Sequence, residues 1–329
     1  MTEADTRTKL SPPGEPIHVA AAALVDSDGR VLLARRHDDS HQGGLWEFPG
    51  GKLEAGESLA EGLRRELHEE LGIEVVSHRP LIRITHHYDD RSVLLDVHRV
   101  ERWQGDPHGR EGQPLAWVAP ASLGEYPMPA ADEPIVKALR LPGIYVITPP
   151  DIVDEQRFLA QLDGALAGGM QLLQLRLFDL PAERFEALGR EVCRRCGDAG
   201  ARVLLNGSAE FSDRIGADGV HLSSRALRST TARPLPTDRL VAASCHTQAE
   251  LTRAAEIGAD FALLSPVLPT RSHPDAEPLG WTRFAEWVEP ATLPVFALGG
   301  MRADLQAVAW SHGGQGIAGI RGLWPGDSQ

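Results

Sequence analysis

Gly51-Lys-Leu-Glu-Ala-Gly-Glu57, then Ser58, and after it Arg65-Glu-Leu-His-Glu-Glu-Leu-Gly-Ile73, is the stretch that says most about this chain. Ser58 with Glu61 three residues on has the form of a capping box, which satisfies the first backbone N–H groups of a helix. Gly72 stands where a left-handed turn ends one. The spacing predicts a helix over residues 59–71. Leu59, Leu63, Leu67 and Leu71 recur every four positions and make an apolar stripe for packing. Glu66, Glu69 and Glu70, at i, i+3 and i+4, then share a neighbouring face within reach of one another. Carboxylates that close repel and raise one another's pKa unless a cation sits among them, and Mg²⁺ or Mn²⁺, hard and oxygen-seeking, is the natural one. A solvated acidic face would account for three glutamates taken alone. It accounts for neither the Gly50-Gly51 turn ahead of the helix nor the Glu57/Arg65 pair at its start.

Outward from this helix, residues 17–140 mix strand patterns (19–25, 31–34, 93–100, 115–118) with a second helix near 133–139, the texture of an α/β domain with a mixed sheet. From Pro142 the chain alternates short apolar strands with amphipathic helices. Eight candidate strands (144–148, 172–176, 202–206, 219–222, 240–244, 261–265, 295–298, 316–320) point to a closed (β/α)8 TIM barrel. A length of 329 residues is ample for two cores. The expected division is a disordered, proline-punctuated lead-in over 1–16, a first domain over 17–141 and a barrel over 142–329. The short link between the domains, with Pro134, Pro142 and Gly143, suggests that they touch.

Asp plus Glu total 46 against 33 for Lys plus Arg, a net charge of −13, which disfavours nucleic acid or an anionic membrane as partner. No apolar run approaches the ~20 residues of a membrane span, and nothing at the start has a signal-peptide pattern, so a cytoplasmic protein is expected. The three cysteines fit a reducing compartment. Cys193-x-x-Cys196 lies in a helical run with no second ligand pair and reads as coincidence rather than a zinc or redox site.

The loop and helix fit the Nudix box, Gly-x5-Glu-x7-Arg-Glu-apolar-x-Glu-Glu-x-Gly-apolar, at every fixed position, and the first domain is identified on that ground as resembling the Nudix hydrolases. The resemblance implies an α/β/α sandwich in which the Gly50 carbonyl, Glu66, Glu69 and Glu70 hold divalent metal and Arg65 pairs with Glu57 to brace the loop. Bound metal neutralises a polyphosphate and lowers the pKa of an attacking water, with one of these carboxylates or Glu111 as general base. The flanks Leu45-Trp-Glu-Phe-Pro-Gly-Gly51, Val100-Glu-Arg-Trp-Gln-Gly105, Gly109-Arg-Glu-Gly-Gln-Pro114 and Pro129-Ala-Ala-Asp-Glu-Pro134 look like the MutT branch, the 8-oxo-dGTP diphosphatases. That likeness implies a purine nucleoside triphosphate as substrate, split to monophosphate and pyrophosphate. It makes Arg36, His41, Lys52, Arg91 and Asp132 substrate-binding candidates and Glu111 an outlying metal ligand. The branch commonly has Asn where Asp132 stands; an amide donates and accepts, whereas a carboxylate accepts only, unless protonated.

The barrel half resembles thiamine phosphate synthase and the related TenI-like proteins, on Gln174-Leu-Arg176, Asn206-Gly207, Gly219-Val-His-Leu-Ser-Ser224, Ser244-Cys-His-Thr247, Ser265-Pro-Val-Leu-Pro-Thr270 and Gly299-Gly300. The resemblance makes Gln174, Arg176, Asn206, Ser244, His246, Gly299 and Gly300 candidates for holding a thiamine-related phosphate. Several family positions differ. Leu177-Phe178 replace Glu-Lys, Gly207 and Ala226 fall where metal-binding Asp residues are expected, and His273 falls where a lysine is. Synthase chemistry is therefore expected to be slow or absent. Two functional readings stand: nucleotide-pool clearance of oxidised dNTPs with the barrel as a ligand-binding module, or a thiamine-pathway pyrophosphatase whose barrel handles a thiazole or pyrimidine phosphate. An oligomer is compatible with either.

Overall fold

The computed structural model describes residues 16–39, 42–88, 92–149, 152, 154–176, 181–271 and 276–325. The expected lead-in lies almost wholly outside them, as do His41, Arg91, Leu177, Phe178 and His273.

The first half has strands β1 (Ile17–Leu24), β2 (Val31–Arg35), β3 (Trp46–Glu47) and β4 (Gly50–Lys52), helix α1 (Leu59–Leu71), strands β5 (Glu74–His87), β6 (Ser92–Gln104) and β7 (Leu115–Val118), and helix α2 (Glu133–Leu139). One sheet runs β4-β1-β6-β5, mixed because β1 pairs parallel with β6; a second runs β3-β2-β7. Alternation along β1 builds two cores. Ala20, Ala22 and Leu24 pack with Leu63, Leu67 and Leu71 of α1, and Ala21 and Ala23 pack with Ile135, Ala138 and Leu139 of α2. The result is the expected α/β/α sandwich. Each fully buried leucine of α1 contributes on the order of 2 kcal/mol by leaving water. The expected capping box is present, Ser58 and Glu61 bonding each other's backbone N–H, and Gly72 ends the helix in the left-handed region at φ 69°.

The second half closes an eight-stranded parallel barrel. Its strands are β8 (Ile144–Ile147), β9 (Leu172–Leu175), β10 (Arg202–Leu205), β11 (Gly219–Leu222), β12 (Leu240–Cys245), β13 (Phe261–Leu264), β14 (Val295–Leu298) and β15 (Gly316–Gly319). Tyr145, Leu172, Leu204, Ala242, Phe261 and Phe296 fill the interior, while the alternate residues Val146, Leu173, Leu175, Val203 and Leu205 face the surrounding helices. Cys193 and Cys196 lie in the helix Ala182–Asp198 with thiols pushed up to about 12 by burial, as inert core residues.

The two halves touch. Gln315 Nε2 donates to the carbonyls of Ala138 and Leu141, Arg83 pairs with Glu289 at 2.8 Å, and Arg79 lies over the Trp310 ring at 4.0 Å.

Candidate functional site

In the first domain the site grows from a turn and a helix that clasp each other. Gly50 has φ 147°, a conformation open to glycine, and a side chain there would collide with the Ala20 carbonyl. Gly51 has the Glu66 carboxylate directly against its Cα, so that any Cβ would overlap it. The Gly50 N–H donates to Glu70 Oε2 at 3.1 Å. Arg65 closes the far side. Its Nε and Nη2 donate to the two oxygens of Glu57, both at 2.9 Å, its Nη1 donates to Glu66 at 2.8 Å and to Glu69 at 3.3 Å, and its Nη2 also reaches the Lys52 carbonyl at 3.0 Å. This fork holds Glu57 down to about 2 and raises Arg65 above its ordinary value. The two-point geometry needs a guanidinium; an ammonium cannot supply it.

Glu70 is the tense member of the group. Burial, together with the negative charges of Glu47, Glu66 and Glu111, lifts it to about 8 against the pull of the Gly50 N–H. Glu111 is exposed, and the loop carrying it is tied to the end of α1: Arg110 N–H and Gln113 Nε2 both donate to the Glu70 carbonyl, and Gln113 Oε1 accepts from Glu111 N–H. Glu69 is 56% exposed and turns to Arg65. Among the described residues, no three His, Cys, Asp or Glu side chains stand close enough to form a ready-made metal cage. The reason is visible in the bonding, since Arg65 draws Glu66 and Glu69 while the Gly50 N–H fixes Glu70. The donor set nevertheless fits a hard divalent cation: only oxygen ligands are offered, and the repulsion on Glu70 is what such a cation would relieve.

Beside this group, Arg36 pairs with Glu47, and Glu47 in turn acts on Asp132. Asp132 ends the short turn Ala130–Asp132, is buried, and is pushed up to about 7 by burial and by the charge of Glu47. The structure thus brings Arg36 and Asp132 together through Glu47, a residue the sequence reading passed over although it lies inside the quoted Trp-Glu-Phe-Pro segment. Lys52 is exposed on β4.

In the barrel, a cavity of about 800 Å³ opens at the carboxyl ends of the strands and is lined by all seven expected residues, Gln174, Arg176, Asn206, Ser244, His246, Gly299 and Gly300. Register explains why. Each strand's inward positions continue in steps of two, from Leu172 to Gln174 and Arg176, from Leu204 to Asn206, and from Ala242 to Ser244 and His246. Gln174 is 2% exposed, and its side chain acts on the Tyr145 hydroxyl while its Nε2 is left without a well-aligned hydrogen bond. His221, in the layer below, bonds Ser244 Oγ at 2.7 Å and the Tyr145 hydroxyl at 3.3 Å, and burial drives it down to about 3, so it is neutral. No Asp or Glu is among the described lining residues, whereas Arg271, Arg302 and Arg321 are.

Fold and site define a chain of two catalytic-type modules, a sandwich with a glutamate-bearing loop and helix and a barrel with a cationic mouth. The chain belongs to the thiamine monophosphate synthase family over residues 144–323 and carries a NUDIX domain over residues 20–138. It is 36% identical over 190 residues to a thiamine-phosphate synthase of Chromobacterium violaceum, covering 57% of this chain and 91% of that one. The 8-oxo-dGTP diphosphatase of Escherichia coli is 34% identical over 124 residues, 38% of this chain and 96% of that one. The CTP pyrophosphohydrolase of the same organism is 39% identical over 117 residues, 36% of this chain and 87% of that one. No described helix is long and apolar enough to cross a membrane.

Proposed function

We propose that the Nudix domain is a Mg²⁺-dependent pyrophosphohydrolase acting on oxidised purine nucleoside triphosphates such as 8-oxo-dGTP, and that the barrel, over 142–329, binds a heterocyclic phosphate without efficient synthase chemistry. The observation that carries the first part is the clasp of Gly50 and Gly51 on Glu70 and Glu66, braced by Arg65 and Glu57. Bound metal would supply charge neutralisation and an acidified water. Glu66, Glu70 and Glu111 would hold it, with the Gly50 carbonyl. One of these carboxylates, Glu111 on its loop fastened to the end of α1 included, would take the proton. Arg36 would meet the phosphates or sugar, and Asp132, protonated near neutrality, would offer a base edge both a donor and an acceptor.

For the barrel, the poorly paired amide of Gln174 together with Arg176 supports a polar ring ligand carrying phosphate.

The deciding experiment is a panel of 8-oxo-dGTP, dGTP, CTP, thiamine pyrophosphate and hydroxymethylpyrimidine pyrophosphate, each with Mg²⁺ and with Mn²⁺. Preference for 8-oxo-dGTP is expected. Preference for CTP would move the reading toward the second Escherichia coli relative, and preference for the last two toward a thiamine-pathway pyrophosphatase.

A further inference from the structure

Away from both sites, a cleft of about 700 Å³ lies between the domains, floored by Val25, Val31, Leu81, Leu139 and Leu141. Four arginines line it, Arg79 and Arg99 from the sandwich, Arg140 after α2 and Arg202 at the start of β10, against one acid, Glu101. In a chain of net charge −13 such a concentration of positive charge is out of keeping with its surroundings.

The arginines are held, and few carboxylates oppose them; Arg79 also lies over the Trp310 ring at 4.0 Å and feels Glu101 from a distance. Arg79 donates to the Pro80 carbonyl, Arg140 to the carbonyls of Pro120 and Ala121, and Arg202 to the Arg140 carbonyl. These oxygens orient a guanidinium without cancelling it. Only Arg99 meets a carboxylate, Glu101 at 2.6 Å; among the described residues Arg79, Arg140 and Arg202 are in no ion pair. Asp218 and Asp260 act on Arg202 from a distance, but Asp218 accepts from the Val203 N–H and Asp260 is paired with Arg233. Burial lowers Arg79 to about 10 and Arg202 below its ordinary value; repulsion from Arg99 and Arg140 adds to it, against the pull of Glu101 on Arg79 and of Asp218 and Asp260 on Arg202. Like charges kept together in a partly desolvated cleft make a place for a multiply charged anion, and guanidinium forks match phosphate oxygens.

We propose that this cleft is a binding site for a small polyphosphate anion of the inorganic pyrophosphate type, and that the anion joins the two domains by bridging Arg79 and Arg99 on one side and Arg202 on the other. The inference is independent of which substrate the Nudix domain hydrolyses.

The test is titration calorimetry of the full chain with inorganic pyrophosphate in EDTA, so that the carboxylate site has no metal with which to retain it. Saturable binding is expected at millimolar pyrophosphate or below, weakened at least tenfold in R99Q and in R202Q, and changed less than twofold in R176Q, which probes the barrel cavity. Thermal unfolding in the same buffer confirms that each variant is folded. Absence of saturable binding in the wild type overturns the proposal. So does an R176Q effect as large as those of R99Q and R202Q.

Discussion

The two sites are opposite in charge. The Nudix site crowds acids together: Glu47, Glu66 and Glu111 all press on a buried Glu70, and a single arginine keeps the crowd in order. The barrel mouth has arginines and neutral polar groups, with no described carboxylate on its wall. On the proposed reading, the first arrangement would place a divalent cation between protein and phosphate, and the second would meet phosphate directly. The difference teaches that two modules of one chain can present opposite signs of charge, which on the proposed reading separates cleaving an anhydride from holding an anion.

The sharpest break in this contrast comes from Glu70. Glu70→Gln should lower pyrophosphate release from the preferred nucleotide by about 10³-fold while leaving ligand binding in the barrel unchanged. EDTA should do the same to the wild type. A variant that retains turnover in Mg²⁺ would remove the basis of the comparison. Gly51→Ala tests the clasp rather than the acid: a methyl group there overlaps the Glu66 carboxylate. It should cost about 10²-fold in kcat by displacing that side chain, with the melting temperature of the barrel unmoved.

Acid separates the halves in another way. His221 is neutral in the fold because its pKa has fallen to about 3, whereas the unfolded chain takes a proton near the ordinary value of 6.5. The unfolded state therefore binds more protons between those values, and barrel stability should be complete above pH 6.5 and fall steadily as pH drops toward 3. Unfolding by urea across that range would show it, and His221→Gln should flatten the slope. In the cavity, Gln174→Leu should change stability by no more than about 1 kcal/mol, since the buried donor removed is poorly paired, while weakening a heterocyclic phosphate roughly tenfold. Unchanged binding would count against a ligand role. The smallest effect expected is on selectivity: Asp132→Asn should alter the ratio of 8-oxo-dGTP to 2-oxo-dATP hydrolysis by a few-fold and remove its dependence on pH around 7, where Asp132 titrates.

Much of this architecture could be read from local spacing. The capping box and Gly72 delimit α1, and eight short apolar runs alternating with amphipathic helices give the barrel, because these signals are local and buried faces enforce them. The long strand β5 was not anticipated: Glu74–His87 carries Arg79, Pro80 and Arg83 amid its apolar residues, and its pairing with β6 is broken by register shifts. Its strand character comes from that partner rather than from its own pattern. At the site, the acidic face on α1 was legible, but which of its glutamates points where was not, since Arg65 decides it through contacts with Glu57 and the Lys52 carbonyl. Glu47 escaped notice because one glutamate in a two-residue strand has no periodicity; only its pairing with Arg36 marks it out.

Gln315 has a further consequence. Its side-chain nitrogen sits inside the molecule with the last turn of α2 and the residue before Pro142 as its acceptors. A barrel expressed by itself would strand that amide at a bared surface, and a sandwich expressed by itself would leave two carbonyl groups facing water instead of a donor. The fusion has thus become part of the architecture, and the sequence between the modules works as a weld rather than a leash.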